Sequence, residues 1–489
     1  MRPKRNAALQ ARLRSTDLDT DGHSENEKEE AIPESPSSEE RPVTPRRVYT
    51  PRRRGRPPKR ATRTIAGLLD IGEWREVCQG SKWVTVVEEK NIKEEWISTI
   101  PMMEHVSNNV EIAAKFNVHI DDEHVHHVCV GPGGISALDA ASDLLAVATF
   151  PYYGFRDHWT MTNEEHCSPI QLYRYTTQKT APNVSSAHVA TITHQFGLVR
   201  SLRWCPHSRN TLLALFGDGK VRVWSVPDHP VGTYSLENSI LIGDDEYVIT
   251  GVEWCPSIRG RIATGTANGL VLLWRIHNDR VECIAGLQSS KRPVTSVAFH
   301  SSDAMLLAIG VHDSPSLLID LRRPHNPQTL LSTLALVPLV RWSPLNDVWI
   351  LADSDGGVRA LPSDSLVDRQ TVPAGTFNAA LLDVQVSPFH SIVAMAGVEG
   401  TVHLVRLDPR RRQLFEEQVL QVVSVTPDTV KISMRVVQPK LHKGPVSLPD
   451  YSRTISCLSW SKSPTSPGLL MVGLCSIGIL FLFPIDNRL

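Results

Sequence analysis

What the sequence lacks narrows its chemistry first. Its eight cysteines form no Cys-x-x-Cys pair and show no regular spacing. A disulfide framework is therefore not expected, and the thiols read as reduced and mostly buried, as in a cytosolic or nuclear protein. No apolar run reaches the roughly 20 residues of a membrane helix. Nothing apolar follows Met1-Arg2-Pro3-Lys4-Arg5, so a secretory signal is not expected either. Catalytic signatures are missing too. No Ser, Cys or His stands in a recognisable nucleophile context, and Gly131-Pro132-Gly133-Gly134 lacks the Lys-Ser/Thr that a phosphate loop requires, so it reads as a turn. The run from Asp121 to His127 would put His124 and His126 on one strand face. With no Cys or second His pair at zinc spacing, it reads as an acidic, solvated edge. No enzyme activity, metal, cofactor, small-molecule substrate or membrane partner is expected.

Charge of one sign is absent from two adjoining stretches. Asp17 to Glu40 holds ten carboxylates and a single Lys, whereas Arg41 to Leu69 holds ten Arg/Lys and no acid. From Asp70 onward there are 35 basic and 42 acidic residues, a net of −7, so the overall −1 hides three unlike regions. Only the short basic stretch is built to attract a polyanion. Residues 1–69 are poor in aromatics and rich in Pro, Ser, Glu and Arg. Such a chain cannot bury enough apolar surface to offset its ordering entropy, and a disordered tail is expected.

Within that tail, Arg52-Arg53-Arg54-Gly55-Arg56-Pro57-Pro58-Lys59-Arg60 matches the AT-hook pattern. The minor groove is about 6 Å wide, so a thin extended chain fits where a helix does not. Gly55 lets the backbone approach the groove floor, and Pro57 holds it extended. Arg54 and Arg56 are then placed along the floor, where narrow A·T tracts carry the most negative potential. Arg52, Arg53, Lys59 and Arg60 are expected on phosphates, giving weak, salt-sensitive, A·T-biased binding. The same basic run also fits a nuclear-import signal, and both roles place the protein in the nucleus. Ser35-Pro36, Thr44-Pro45 and Thr50-Pro51 are candidate phosphorylation sites, and a phosphate on Thr50 would oppose Arg52.

From about residue 134 the chain repeats. Leu198 to Trp204-Cys205-Pro206 is echoed by Ile249 to Trp254-Cys255-Pro256, Val294 to Phe299-His300, Val340-Arg341-Trp342-Ser343-Pro344 and Leu382 to Val386-Ser387-Pro388. The aromatic landmarks Trp204, Trp254, Phe299 and Trp342 stand 50, 45 and 43 residues apart, close to the WD40 blade period. Each unit continues with an apolar run, then a tight-turn pair such as Asp218-Gly219, Asn268-Gly269, Asp355-Gly356 or Glu399-Gly400, then an alternating strand such as Val221 to Trp224. Trp224 and Trp274 hold the usual WD-dipeptide Trp position, and Ile319-Asp320 keeps the Asp. Seven units at about 134–175, 198–226, 248–276, 292–321, 335–363, 380–407 and 454–485 predict an all-β, seven-bladed WD40-type β-propeller. The expected organisation is a tail at 1–69, a lead-in at 70–133 that partly clasps the ring, and the propeller at 134–489. His126 to Val130 is expected as the outer strand of the last blade. Residues 408–453 are expected to carry an inserted hairpin, Val419–Val425 and Val430–Val436, projecting either as a binding surface or as a passive elaboration of blade six.

Phe216 to Val226, Asn268 to Trp274, and above all Asp320-Leu321-Arg322-Arg323-Pro324-His325-Asn326-Pro327 resemble the WD-repeat subunit of general transcription factor IIIC, which recruits RNA polymerase III to transfer-RNA genes. That resemblance, over roughly 134–485, implies a non-catalytic scaffold subunit that docks a second WD-type partner and a large DNA-binding subunit. The blades around Ala360 and Val405 depart from it by lacking the WD tryptophan. A chromatin-associated histone reader and a ubiquitin-ligase adaptor are the other functions such a ring could serve. The reader would need an aromatic cage at the channel mouth.

Overall fold

Alternating apolar positions separated by tight turns produce antiparallel hairpins, and seven such units pack face to face around one axis. The computed structural model of the chain describes residues 100–107, 117–121, 125–131, 133–151, 167–177, 184–243, 246–277, 280–335, 339–353, 356–363, 371–376, 380–408, 415–426, 429–434 and 451–485. Their strands form seven sheets, one on each repeat unit, and together these make a seven-bladed β-propeller.

Blades two, three, four and five have four strands each and begin at the channel with Val199–Trp204, Ile249–Trp254, Val294–Phe299 and Leu339–Ser343. Between blades the cores are almost wholly aliphatic and aromatic. Trp204, Leu212, Phe216 and Trp224 of blade two, for example, share a cluster with Ala146 and Leu172 of blade one. Turns close the hairpins where the sequence places them. Gly269 has φ +84°, and a Cβ there would stand 2.1 Å from the Ser290 carbonyl oxygen, so only glycine fits this turn.

Blade seven is closed by the other end of the chain. Its first three strands, Ile455–Trp460, Leu469–Leu474 and Gly478–Pro484, are followed outward by His126–Gly131, antiparallel, with His126 opposite Leu482 and Cys129 opposite Ile479. The turn after the clasp is tight because the chain passes directly over blade seven. A Cβ on Gly134 would lie 1.6 Å from the Cys475 carbonyl oxygen.

Two blades are wider than four strands. Blade one runs outward from Ile135–Ala140 through Leu144–Thr149, Ile170–Thr177 and Val184–Thr193. Gly232–Ser235 then adds in parallel, and Glu104–Ser107 adds antiparallel to that. Blade six runs from Leu381–Val386 through Ile392–Gly397 and Thr401–Arg406 to Phe415–Val425, then takes on Thr429–Ser433 and Asn117–Ile120. The segment expected to project as a hairpin therefore lies in the plane of blade six, as its fourth and fifth strands. Val419, Leu420, Val422, Val430 and Ile432 are all buried there. Apolar residues at alternate positions on both arms explain this: a freely projecting hairpin would leave them in water.

The blade lacking its tryptophan near Ala360 keeps its volume in another way. In blade two, Trp224 faces Leu212 across the strand pair. In blade five, Leu361 stands at the corresponding place and faces Trp349, which is fully buried. The aromatic and the aliphatic partner have exchanged strands, so the filled volume is conserved.

Candidate functional site: the charged mouth of the channel

In each blade the first strand lines the channel. The position just before the landmark residue is Asp139, Arg203, Glu253, Ala298, Arg341, Gln385 and Ser459 in blades one to seven, and all seven border one cavity of about 310 Å³. The landmarks themselves turn into the interfaces between blades. Trp204 Nε1 donates to the Asp139 carbonyl oxygen of blade one at 3.0 Å, Trp254 Nε1 to the Arg203 carbonyl at 3.2 Å, and Trp460 Nε1 to the Gln385 carbonyl at 3.1 Å. Trp342 Nε1 donates to Ser301 Oγ at 3.0 Å, again one blade back. Each indole therefore fastens its blade to the one before.

Side chains on the first strands add a second set of stitches. Asp139 Oδ2 accepts Trp204 N–H at 2.7 Å, Ser296 Oγ accepts Val340 N–H at 3.1 Å, Asp383 Oδ2 accepts Leu458 N–H at 2.8 Å, and Ser459 Oγ accepts Ala140 N–H at 3.2 Å. Each joins successive blades, and the last crosses the seam between blades seven and one. All four acceptor side chains are buried, where an unmade hydrogen bond is costly.

Charge follows the same direction around the ring. Arg203 Nε meets Glu253 Oε2 at 3.4 Å, Arg341 Nη2 meets Asp383 Oδ1 at 3.6 Å, and Lys462 Nζ meets Asp139 Oδ2 at 2.7 Å. Every cation reaches an acid on the next blade. Burial works against the charge on Arg203, but Glu253, Asp139 and Asp383 more than offset it, so its pKa is raised. For Arg341, burial and then the positive charge of Arg203 outweigh Asp383 and Glu253, so its pKa is lowered. The mouth can hold and present charge, and its hydroxyl–carboxylate pair, Ser459 on Asp139 at 3.2 Å, lies at the seam between blades seven and one.

Where blade one's chain passes into blade two, beside the start of Val199–Trp204, His194 packs edge-on against Phe216 at 4.8 Å between ring centroids, and Arg222 lies 3.5 Å over the Phe196 ring. Burial, with Arg222 adding to it and a Ser168 main-chain hydrogen bond opposing, holds the His194 imidazole at about 4 against an ordinary 6.5. Between those values the unfolded chain binds the proton more readily than the folded one, so stability must fall as pH drops from 6.5 towards 4. The full loss is about 3 kcal/mol. Urea midpoints measured across this range are expected to show the slope, and His194→Phe is expected to flatten it.

The clasp histidines serve packing. His126 Nε2 lies 2.9 Å from Ser186 Oγ of blade one, and burial lowers the pKa of both His126 and His127, with His127 lowering that of His126 further. His124 lies outside the described residues. Among the described residues no group of three or more His, Cys, Asp or Glu is placed to hold a metal ion. The hook residues Arg52, Arg53, Arg54, Gly55, Arg56, Pro57, Lys59 and Arg60, and Ser35, Thr44 and Thr50, also lie outside the described residues.

The charged ring escaped sequence reading, although a signal for it exists. In Arg203-Trp204, Glu253-Trp254 and Arg341-Trp342 a charge precedes each landmark, and period-2 alternation puts that charge on the face opposite the indole. No family model matches the chain.

Proposed function

We propose that this protein is a non-catalytic scaffold subunit of a DNA-bound transcription complex in the nucleus, namely general transcription factor IIIC, with an AT-hook as an auxiliary minor-groove anchor. The ring supports the scaffold role through one observation: its channel-lining indoles are engaged in joining blade to blade. Trp204, Trp254, Phe299 and Trp460 are each no more than 4% exposed, and the half-buried Trp342 is packed on His300 and bonded to Ser301. These rings are not open to form a cage around a methylated histone side chain, which favours a scaffold over a reader. The distinctive run from Asp320 to Pro327 supports the assignment to this complex. Its geometry has a clear use: Arg322 grips Asp303 with both terminal nitrogens at 2.7 and 3.0 Å and reaches Asp320 at 3.4 Å, fixing the loop after the third strand of blade four.

Purification of the tagged full-length protein from nuclear extract followed by mass spectrometry tests the reading. A second WD-type subunit and the large DNA-binding subunit of that factor are expected. Recovery of histone-modifying enzymes without them would sink it. The hook is tested separately: replacing Arg54 and Arg56 by Ala is expected to weaken binding to an A·T duplex by about tenfold or more at low salt. Undiminished affinity would remove the hook as a groove reader.

A further inference from the structure

We propose that the channel mouth receives the carboxylate of a partner polypeptide, an Asp or Glu side chain with apolar neighbours, seated between Arg203 and Arg341. The inference rests on the scaffold reading and says what kind of segment the ring accepts.

Charge is the first argument. The cavity is bordered by Arg203, Arg341 and Lys462 against Asp139 and Glu253. With Asp383 beside Arg341 three cations balance three acids, so the floor is neutral in a region of the chain that carries a net of −7 and does not repel an incoming acid. Asp383 has its oxygens turned to the main-chain N–H groups of Val384 and Leu458 and to the Gln385 amide.

Unused donor capacity is the second. Both guanidinium groups are fixed in the same manner, Arg203 Nη1 on the Leu202 carbonyl at 2.8 Å and Arg341 Nη1 on the Val340 carbonyl at 3.0 Å. Their acidic partners are nevertheless distant, at 3.4 and 3.6 Å. A full charge-assisted hydrogen bond lies near 2.7–2.9 Å, the length that Lys462 reaches on Asp139. Blades two and five stand three apart in the ring of seven, and Arg203 opposes the charge on Arg341, a repulsion that an anion seated between them relieves.

The rim supplies the third argument. Pro206, Pro256, Pro344 and Pro388 border the same cavity above the arginines. Apolar walls around a charged floor fit a polypeptide tip better than a free, fully hydrated anion.

Selection of random octapeptides displayed on phage against the full-length protein tests this. The selected pool is expected to carry Asp or Glu at one fixed position between apolar residues. The consensus peptide is expected to bind about tenfold more weakly when its acid is changed to the amide, and about tenfold more weakly to Arg341→Gln. Glu253→Gln removes the competing acid beside Arg203 and is expected to bind it several-fold more tightly. That variant decides the matter if Arg341→Gln does not fold, because a merely structural role gives no gain. A pool without an acidic position, or unchanged or weaker binding to Glu253→Gln, would overturn the proposal. The assignment to a transcription complex stands or falls on co-purification instead, so the two failures are distinguishable.

Discussion

Deleting residues 1–131 is expected to leave an insoluble or aggregated protein, whereas deleting residues 1–68 is expected to leave the thermal melt of the propeller unchanged. The first described strand begins at Glu104, so the shorter deletion removes none of the described strands. The longer deletion removes Glu104–Ser107 and Asn117–Ile120, the outermost strands of blades one and six, and His126–Gly131, the only described strand on the outer side of Gly478–Pro484. Leu480, Phe481, Leu482 and Phe483 on that strand are no more than 1% exposed, so the freed edge would be long and apolar, the form most prone to pairing between molecules. Val128 and Val130 leave with the clasp, each worth about 1.5–3 kcal/mol of burial. With lost ladder bonds the deficit is on the order of 5 kcal/mol, comparable with the whole stability of many domains. Size-exclusion chromatography and a thermal melt read the outcome. A monomer with a cooperative melt would show that three strands suffice for blade seven.

Asp139→Ala is expected to cost about 2–4 kcal/mol, chiefly through the buried donors it leaves without an acceptor. Asp139 is 5% exposed and serves three groups at once: the Trp204 amide, the Ser459 hydroxyl at 3.2 Å and the Lys462 ammonium. Those groups come from blades two and seven, so a single carboxylate holds both sides of blade one. Removing it leaves the buried Trp204 N–H without its acceptor, whereas Lys462, 42% exposed, turns to water. Asp139→Asn keeps acceptor oxygen for Trp204 and is expected to cost about 1–2 kcal/mol. Urea denaturation of both variants and of Lys462→Gln, arranged as a double-mutant cycle, isolates the ion pair. A loss for Asp139→Ala below about 1 kcal/mol would show that the seam does not depend on it.

Much of the ring was legible because its signals are local. Trp204, Trp254, Phe299 and Trp342 recur at nearly one spacing, and the Asp-Gly and Asn-Gly pairs mark hairpins without reference to anything distant. His126 to Val130 was readable as a clasp because an apolar alternating strand before blade one has one natural vacancy to fill. The in-plane pairing of Phe415–Val425 and Thr429–Ser433 was not readable. Projection and lateral addition have the same strand pattern, and only the neighbouring edge decides between them. The parallel addition of Gly232–Ser235 to blade one was hidden for the same reason, since it joins residues about 40 positions apart in sequence.

The sequence by itself determined the number of blades, the turns and the residues facing inward, because hydrophobic alternation and turn chemistry act over a few residues. It also holds the basic run Arg52–Arg60, proposed above as a minor-groove anchor. Only the tertiary structure decided where the charges meet. Arg203 and Glu253 lie 50 positions apart, Arg341 and Asp383 lie 42 apart, and Asp139 and Lys462 lie 323 apart. A charge is fixed by its residue type, but its energy depends on what stands within a few ångströms, and in this protein that is set by the closure of the ring.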